Sequence, residues 1–562
     1  MTAGLIFLLH ESSYMTRLYV MGYPTKVQLI QRKESQQWYI NFPAAIAQGM
    51  DFAKGEDVHW TIADKGHLIL SREVVPPNPI EIKKKTSLLA EVERLIGLCA
   101  DGFASPAAFA RGRRHCLSQL AGFGRHTITG LLRNQNRTQQ DWSADYRFYA
   151  EDRLDVARIF GHVRAEIEQC GGADAPLVVA MDDSLLRKTG RKIFGSRYQR
   201  DPLSPPFHVN FVRGLRVLQI SAAVRQGEQG AARLIPVDVQ HAALPAKPHP
   251  RAPAEAHAAY QAERVARNIN VVGRERLASL RQQMDQSGSA ARRLIASVDG
   301  RFTNATVLRH VPERTVLIGR VRKDSAFYHP PASQPERGRK RKYGLRCPTP
   351  EALLKDQTVP WQPVQAHAAG QTYEFKIKAL GPVYTAMDKG RQALRLVVIE
   401  PVPYRTSQRS KLERREPAYL ICTDPELPLQ ELVQAYLWRW DIEVNFRDEK
   451  TILGVGQAQV RSEAANQNAP ALAVAAYAML LLASVKTYGA EGKPDTFQSP
   501  LWYQRKPEKR ATTNELINQL RYELWSGTLK TNFTGFSPPT APDENGRKCD
   551  HPLAAAVFLS IK

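Results

Sequence analysis

Two short apolar runs that each end in aspartate constrain the fold of this chain more than any other feature. In VVAMDDS, Asp182 and Asp183 follow four apolar residues, and in LIASVDG, Asp299 has the same setting. Such runs predict buried strands, and a carboxylate at the end of a buried strand is costly unless it is paired, hydrogen-bonded or bound to metal. Taken alone, however, each aspartate is more often a turn or helix-cap residue.

The residues around these two runs alternate between strand and helix patterns. PFHVNFVRG and LRVLQISAAV predict antiparallel neighbours of the first run, and a helical pattern follows over residues 255–285. TVLIGRV and AYLICTD predict further strands, separated by a segment at 327–415 that is rich in Pro, Gly and basic residues. Strands, an inserted segment and a later helix together predict an α/β catalytic core that is interrupted in sequence.

The stretch YLWRWDIEVNFRDEK at 436–450 predicts that later helix, and one of its acids stands apart. At about 100° per residue, Tyr436, Arg439, Glu443 and Lys450 fall within an arc of about 60°. The other three acids point to the opposite side. The simplest interpretation is a solvated surface helix with i,i+4 pairs such as Arg439 with Glu443.

Charge indicates the class of partner. The chain has 562 residues, with 78 Lys and Arg against 55 Asp and Glu, a formal net charge of +23. An excess of this size attracts polyanions, and the bases cluster in RKTGRK and RGRKRK, so nucleic acid is the first partner to consider. The alternative is a basic protein that its charge merely keeps in solution.

The cysteines and the apolar runs indicate in which cellular compartment the chain is expected. The six cysteines are scattered without a CxxC pair, which argues against a zinc site or a disulfide framework and fits a reducing cytoplasm. The apolar run at 470–485 is shorter than the 18 or more residues of a membrane span. We therefore expect a buried helix there and no membrane partner.

Asp182, Asp299 and Glu443 together make a set of three acids. Hard oxygen ligands of this kind suit Mg²⁺ or Mn²⁺. Two such ions about 3.5 to 4 Å apart can activate a water and stabilise the leaving oxygen in phosphodiester cleavage. A basic chain would bring the matching polyanionic substrate to these acids.

The spacing Tyr436-x2-Arg439-x3-Glu443-x6-Lys450 resembles the YREK signature of cut-and-paste insertion-sequence transposases of the DDE superfamily. MDDS resembles the first-aspartate motif of these enzymes, and SVDGRF resembles the second. The resemblance covers residues 110–490. It implies an α/β fold with a ribonuclease H-like catalytic core, interrupted by a β-rich insertion between the second aspartate and the glutamate.

The same resemblance implies roles for six residues. Asp182, Asp299 and Glu443 would be the catalytic acids and the ligands of two Mg²⁺ or Mn²⁺ ions. Asp182 is preferred to Asp183 because the first aspartate of the family is commonly followed, at the second position, by Ser or Thr. The residues expected to contact phosphates near the cleaved DNA end are Tyr436, Arg439 and Lys450.

The N-terminal part of the chain has a different pattern. Strand-like runs, a short helical AAIAQGM, and turns at KGE and DKG follow one another between residues 26 and 73. This order resembles the AbrB-like swapped-hairpin DNA-binding domains, in which two chains interleave. The resemblance implies a homodimer; a generic β accessory domain is the alternative.

These patterns divide the chain into seven segments. A poorly structured or misassigned start precedes the AbrB-like module, and the helical region is expected to bind DNA, with a plain helical bundle as the alternative. The segments are the start (1–25), the AbrB-like module (26–73), the helical region (80–170), the first part of the core (174–325), the β-rich insertion (326–415), the second part of the core (416–490) and the C-terminal tail (491–562).

The expected function is that of a DNA transposase of an insertion sequence. Such an enzyme would bind the terminal inverted repeats of double-stranded DNA, cleave a strand in a metal-dependent reaction and join it to target DNA. Two alternatives stay open. One is a transposase-derived DNA-binding regulator, and the other is a ribonuclease H-like nuclease without strand transfer, which would use the same metal site.

Overall fold

The structure is a computed structural model, and it describes residues 26–32, 35–40, 57–64, 67–72 and 87–532, apart from 173, 202–203, 206, 226–229, 336, 369, 405–409, 495 and 497–509. The chain divides into two compact units, Met1–Lys85 and Thr86–Lys562. The expected start at 1–25 lies outside the described residues.

Unit 1 contains two antiparallel hairpins. The first pairs β1 (Val27–Arg32) with β2 (Ser35–Ile40), and the second pairs β3 (Val58–Asp64) with β4 (His67–Arg72). Large apolar side chains on both hairpins are exposed: Trp38 is 64% exposed and Ile62 is 75% exposed. An isolated two-stranded hairpin is marginally stable in water, so these surfaces favour further burial.

Unit 2 begins with five helices: α1 (Leu88–Leu98), α2 (Pro106–Ala121), α3 (Ile128–Asn134), α4 (Ser143–Ala150) and α5 (Val156–Gln169). Local sequence explains where four of them start. Ser87, Ser105, Thr127 and Asp155 each accept a hydrogen bond from the backbone N–H three residues later, as an N-cap does. The predicted helical region therefore consists of five helices, four of them with a side-chain N-cap, packed into the core of unit 2.

The centre of unit 2 is a ten-stranded mixed sheet. Its strands lie in the order β11-β12-β13-β16-β10-β9-β5-β7-β6, with β8 also paired to β7. β5 runs parallel to β9, and β9 runs parallel to β10; the other pairs are antiparallel. The strands of unit 2 are β5 (Leu177–Arg187), β6 (Arg197–Arg200), β7 (Phe211–Arg225), β8 (Ala232–His241), β9 (Leu294–Val298), β10 (Thr315–Arg320), β11 (Gln362–Ala368), β12 (Gln371–Val383), β13 (Leu394–Ile399), β14 (Pro403–Tyr404), β15 (Glu413–Arg414) and β16 (Ala418–Cys422).

Helices cover both faces of this sheet. The remaining helices are α6 (Ala254–Ala266), α7 (Ile269–Gln286), α8 (Ala305–Leu308), α9 (Pro350–Lys355), α10 (Leu429–Trp438), α11 (Asp441–Thr451), α12 (Glu463–Tyr488) and α13 (Thr513–Asn532). Along β5, Val178 and Ala180 pack into the cluster that contains α10 and α11. Val179 and Met181 pack into the larger cluster on the other face. The α/β class predicted from the sequence is confirmed.

Most strands of the segment expected as a β-rich insertion join the central sheet, and among its described residues only β14 and β15 form a separate two-stranded pair. β13 pairs with β16, and β12 and β11 follow it, so these strands extend the central sheet at one edge. Leu396 and Val397 of β13 are fully buried, one in each cluster, because helices cover this part of the sheet on both faces. The central sheet is therefore built from both sides of the interruption.

α12 is a core helix. It has 26 residues and is long and apolar enough to cross a membrane by length and composition, but 89% of its most apolar stretch is buried. It packs against α1, α2, α4, α5 and β8. The sequence prediction of a buried helix is confirmed, and the described residues give no indication of a membrane span.

Candidate active site

Asp182 and Asp299 lie side by side at one end of the central sheet. Met181 of β5 is paired in register with Val298 of β9, and each aspartate is the next residue along its parallel strand. Neighbouring strands are about 4.8 Å apart, so the two carboxylates belong to adjacent positions. The backbone N–H of Arg301 donates to Asp299 Oδ1 at 2.9 Å and fixes the turn that follows β9.

The alternation of β5 distinguishes Asp182 from Asp183. Asp182 continues the face of Val178 and Ala180, towards α10 and α11, whereas Asp183 points to the other face. There Asp183 is held by two guanidinium groups, that of Arg216 at 2.9 Å and that of Arg301 at 3.3 Å. Asp183 is therefore paired with two guanidinium groups, although burial still raises its pKa above the usual value.

The pKa of Asp182 is raised to about 7, first by burial and second by the charge of Asp299. The hydrogen bond from the backbone N–H of Asp183 and the positive charge of Arg439 oppose this rise. A carboxylate pair in this state is stabilised by any cation placed against it.

The predicted single helix at 436–450 is two helices. α10 ends at Trp438 and α11 begins at Asp441, and the N–H groups of Trp440, Ile442 and Glu443 donate three residues back instead of four. This tight turn changes the angles on which the sequence argument depended. The assumption of one continuous helix was wrong, although Glu443 still faces Arg439.

Arg439 lies at the turn and joins the predicted site residues. Its Nη1 is 3.6 Å from Asp182 Oδ2, and its Nη2 is 3.6 Å from Glu443 Oε1. Its guanidinium carbon lies 5.8 Å from the centre of the Tyr436 ring. The side chain is 9% exposed, and its Nε has no hydrogen-bond partner among the described residues. A buried guanidinium between two carboxylates thus has a free donor.

Lys450 lies on α11, as Glu443 does, and its side chain contacts β5, the strand that carries Asp182. Its Nζ donates to Ser184 Oγ at 2.5 Å, and Ser184 lies two residues beyond Asp182 on the same face of β5. Burial lowers the pKa of Lys450, and the charge of Glu449 opposes this shift. The structure therefore brings Asp182, Asp299, Arg439 and Lys450 to one region, with Glu443 linked through Arg439.

The opposite side of α11 is anchored by buried and partly buried polar contacts that the sequence did not indicate. Arg510 donates to Asp441 Oδ2 at 2.6 Å, and Thr513 Oγ1 donates to Asp448 Oδ2 at 2.7 Å. Glu449 Oε1 accepts from Gln219 of β7 at 2.9 Å. The partners in these three contacts are 65 to 230 residues apart along the chain, so no local sequence pattern reveals them.

The carboxylates at the end of the sheet provide part of a site for a divalent cation. Asp182 and Asp299 supply a pair of hard oxygen donors, which fits Mg²⁺ or Mn²⁺. Within the described residues, no three His, Cys, Asp or Glu side chains are gathered tightly enough to hold one ion. The reason is that Glu443 turns to Arg439, which lies between it and Asp182. Asp182 and Asp299 are therefore suitable ligands for Mg²⁺ or Mn²⁺. Glu443 can be a third ligand only if its side chain leaves Arg439.

Comparison with known proteins adds an independent finding. A family model described as DDE superfamily endonuclease matches residues 100–377. The matched range contains Asp182 and Asp299, and Glu443 lies beyond it. No curated protein matches the chain. The match supports a DDE-type endonuclease that acts on DNA, a class that typically uses divalent metal ions.

Proposed function

We propose that this chain is a DNA transposase of an insertion sequence, with Asp182, Asp299 and Glu443 as its catalytic acids. The observation that carries the proposal is the position of Arg439, which contacts both Asp182 and Glu443. Arg439 and Asp182 are 257 residues apart in the sequence. The mixed sheet, with the antiparallel strands β7 and β8 on one side of β5 and the parallel strands β9 and β10 on the other, supports a ribonuclease H-like core.

In the proposed reaction, Asp182 and Asp299 hold divalent metal at the end of the sheet. Such a metal, when bound, would supply activation of a water and stabilisation of the leaving oxygen of the scissile phosphate. Glu443 completes the acid set by leaving Arg439. The Glu443 side chain is 42% exposed, so it has room to leave this contact.

Arg439 then has a guanidinium fork available for the DNA. An arginine fork binds phosphate oxygens in a planar, bidentate arrangement, and its free Nε is an additional donor. Lys450 acts as a point charge two residues along β5 from Asp182, at Ser184. Tyr436 lies against Arg439 and limits its orientations. Together these residues would place a phosphate next to the carboxylates.

The proposal includes a homodimer formed through unit 1. Trp38 and Ile62 lie on hairpins whose apolar side chains are exposed, as expected where a second copy covers them. Two interleaved copies would hold two protomers together, which suits an enzyme that acts on two transposon ends.

The test is DNA cleavage by the full chain. The substrates are duplexes with the sequences that flank the gene for this chain, where the terminal repeats are expected. With Mg²⁺, the wild type should expose 3′ hydroxyl ends at a fixed position and join them to target DNA. Glu443→Gln should lose cleavage by a factor of roughly a thousand or more while keeping DNA affinity, because it removes one ligand without changing shape. Glu426→Gln, which replaces an exposed carboxylate in the loop before α10, is the matched control.

Each outcome separates the alternatives. DNA binding without cleavage by the wild type would identify a regulator, and cleavage without joined products would identify a nuclease that lacks strand transfer. Full Mg²⁺-dependent cleavage by Glu443→Gln would remove Glu443 from the site.

A further inference from the structure

A two-stranded ribbon extends from the central sheet beyond the predicted metal ligands. It consists of β6 and the first residues of β7, which pair from Arg197 with Gly214 to Arg200 with Phe211. Residues directly opposite in an antiparallel pair share a face, and so do residues two apart on one strand. One face of the ribbon therefore carries Tyr198, Arg200, Phe211 and Arg213.

This face exposes aromatic rings beside arginines. Tyr198 is 68% exposed and Phe211 is 65% exposed. The opposite face turns inwards, where Gln199 is buried and accepts a hydrogen bond from Arg216 at 2.8 Å. Exposing large aromatic rings to water is unfavourable, so such rings often mark a binding surface. Their alternation with arginines is typical of surfaces that bind nucleic acid.

The arginine at the base of the ribbon is held in place. Arg213 Nη2 donates to the carbonyls of Arg191 and Ser196, both at 3.0 Å, and its guanidinium carbon lies 5.7 Å from the centre of the Tyr198 ring. Asp201, the acid next to the ribbon, is paired with Arg187 at 3.0 Å. The exposed face is therefore left with a positive charge.

The ribbon face is the same side of the sheet as Asp182. Asp182 is paired with Gln219 of β7, and the side chains two, four and six residues earlier on β7 lead along this face to Arg213. At the base of the ribbon, a cavity of about 350 Å³ is lined by Arg125, Arg187 and Arg213, among other residues. Val217 and Leu215, which lie between Gln219 and Arg213 on this face, are buried, and the arginines gather at the base of the ribbon.

From these observations we propose that the face formed by Tyr198, Arg200, Phe211 and Arg213 binds duplex DNA next to the cleaved position. The proposal rests on the proposed function, because it takes the DNA to be cleaved at Asp182 and Asp299. Six residues of strand separate Asp182 from the base of the ribbon, or about 20 Å. At 3.4 Å per base pair, the contact lies about six base pairs from the cleaved phosphate.

Duplex DNA is the occupant that the charge favours. The chain carries a net charge of +23, and the ribbon adjoins the basic run RKTGRK at 187–192. A two-stranded ribbon has the width of the major groove, where arginine reads base edges or holds phosphates and an apolar ring covers a thymine methyl. A second copy of this chain would carry the same charge and meet repulsion here.

The test compares the wild type with a triple variant, Tyr198→Ser, Arg200→Ser and Phe211→Ser. All three side chains are exposed, so the fold should not depend on them, and circular dichroism and the thermal midpoint check this. Fluorescence anisotropy measures affinity for duplexes that end about three base pairs from the cleavage position and for duplexes that extend about twelve base pairs on either side. Tyr373→Ser, on β12 near the other edge of the sheet, is the control.

We expect the triple variant to bind at least about tenfold more weakly to the duplex that is extended on the side of the ribbon. Its affinity for the short duplex should match that of the wild type, and its salt slope on the long duplex should fall by about one. Equal affinity of both proteins for the long duplex would overturn the inference while DNA cleavage still stands. The same holds if mass photometry shows that the variant changes only the oligomeric state. Failure of the wild type to bind any duplex would reject the proposed function as well.

Discussion

Replacing the buried Glu449 with glutamine should stabilise the protein by an amount that increases with pH. Glu449 is 3% exposed on α11, and burial raises its pKa to about 8. The hydrogen bond from Gln219 and the charge of Lys450 oppose this rise, whereas the charge of Asp448 adds to it. Gln219 Nε2 can donate to a glutamine oxygen as it does to Glu449 Oε1, so the replacement keeps the contact.

The sign and size follow from proton linkage. In the unfolded chain the carboxyl ionises near 4.5, and in the folded protein it stays protonated until about pH 8. Below pH 4.5 the group is neutral in both states, and between these two values stability falls as pH rises. At about 1.4 kcal/mol per pH unit, the free energy of unfolding falls by about 3 kcal/mol between pH 5.5 and 7.5 because of this group. Glutamine has no such dependence.

The assay is urea unfolding of wild type and Glu449→Gln at pH 5.5 and 7.5, followed by tryptophan fluorescence. The difference in the free energy of unfolding between the two proteins should grow by about 3 kcal/mol at the higher pH, in favour of the variant. Glu275→Gln replaces an exposed carboxylate on α7 and should change stability little. A difference that is the same at both pH values would refute the assignment of a buried, protonated Glu449.

Three further outcomes test other contacts. Asp183→Asn should destabilise the protein by about 1 kcal/mol in thermal unfolding, because it leaves the partly exposed Arg216 without its carboxylate, but it should keep Mg²⁺-dependent cleavage; loss of cleavage in a folded Asp183→Asn protein would contradict the assignment of Asp182. A double-mutant cycle of Asp441→Asn and Arg510→Ala should show a coupling of roughly 1 kcal/mol or more, and additive effects would show that this pair does not anchor α11. Separately expressed residues 26–73 should be a dimer in light scattering, and a monomer would reject the swapped-hairpin interpretation.

Local pattern was enough to predict much of the secondary structure near the site. The apolar runs before Asp182 and Asp299 form β5 and β9, because a run of apolar residues is stable only when a sheet buries it. Four of the five helices at 88–169 begin directly after a serine, threonine or aspartate cap. The break between α10 and α11 was not predicted, since helical periodicity continues through Arg439 while the backbone tightens.

The sequence by itself determined which side chains are available: the two strand-end aspartates, the later Glu443 and an excess of positive charge. Only the tertiary structure decided how they are used. Strand register places Asp182 beside Asp299, and strand alternation gives Asp183 to Arg216. The packing of α10 and α11 on the sheet sets Arg439 between Asp182 and Glu443. These contacts join residues that are far apart along the chain, so no local period records them, and they exist only once the sheet and its helices have packed together.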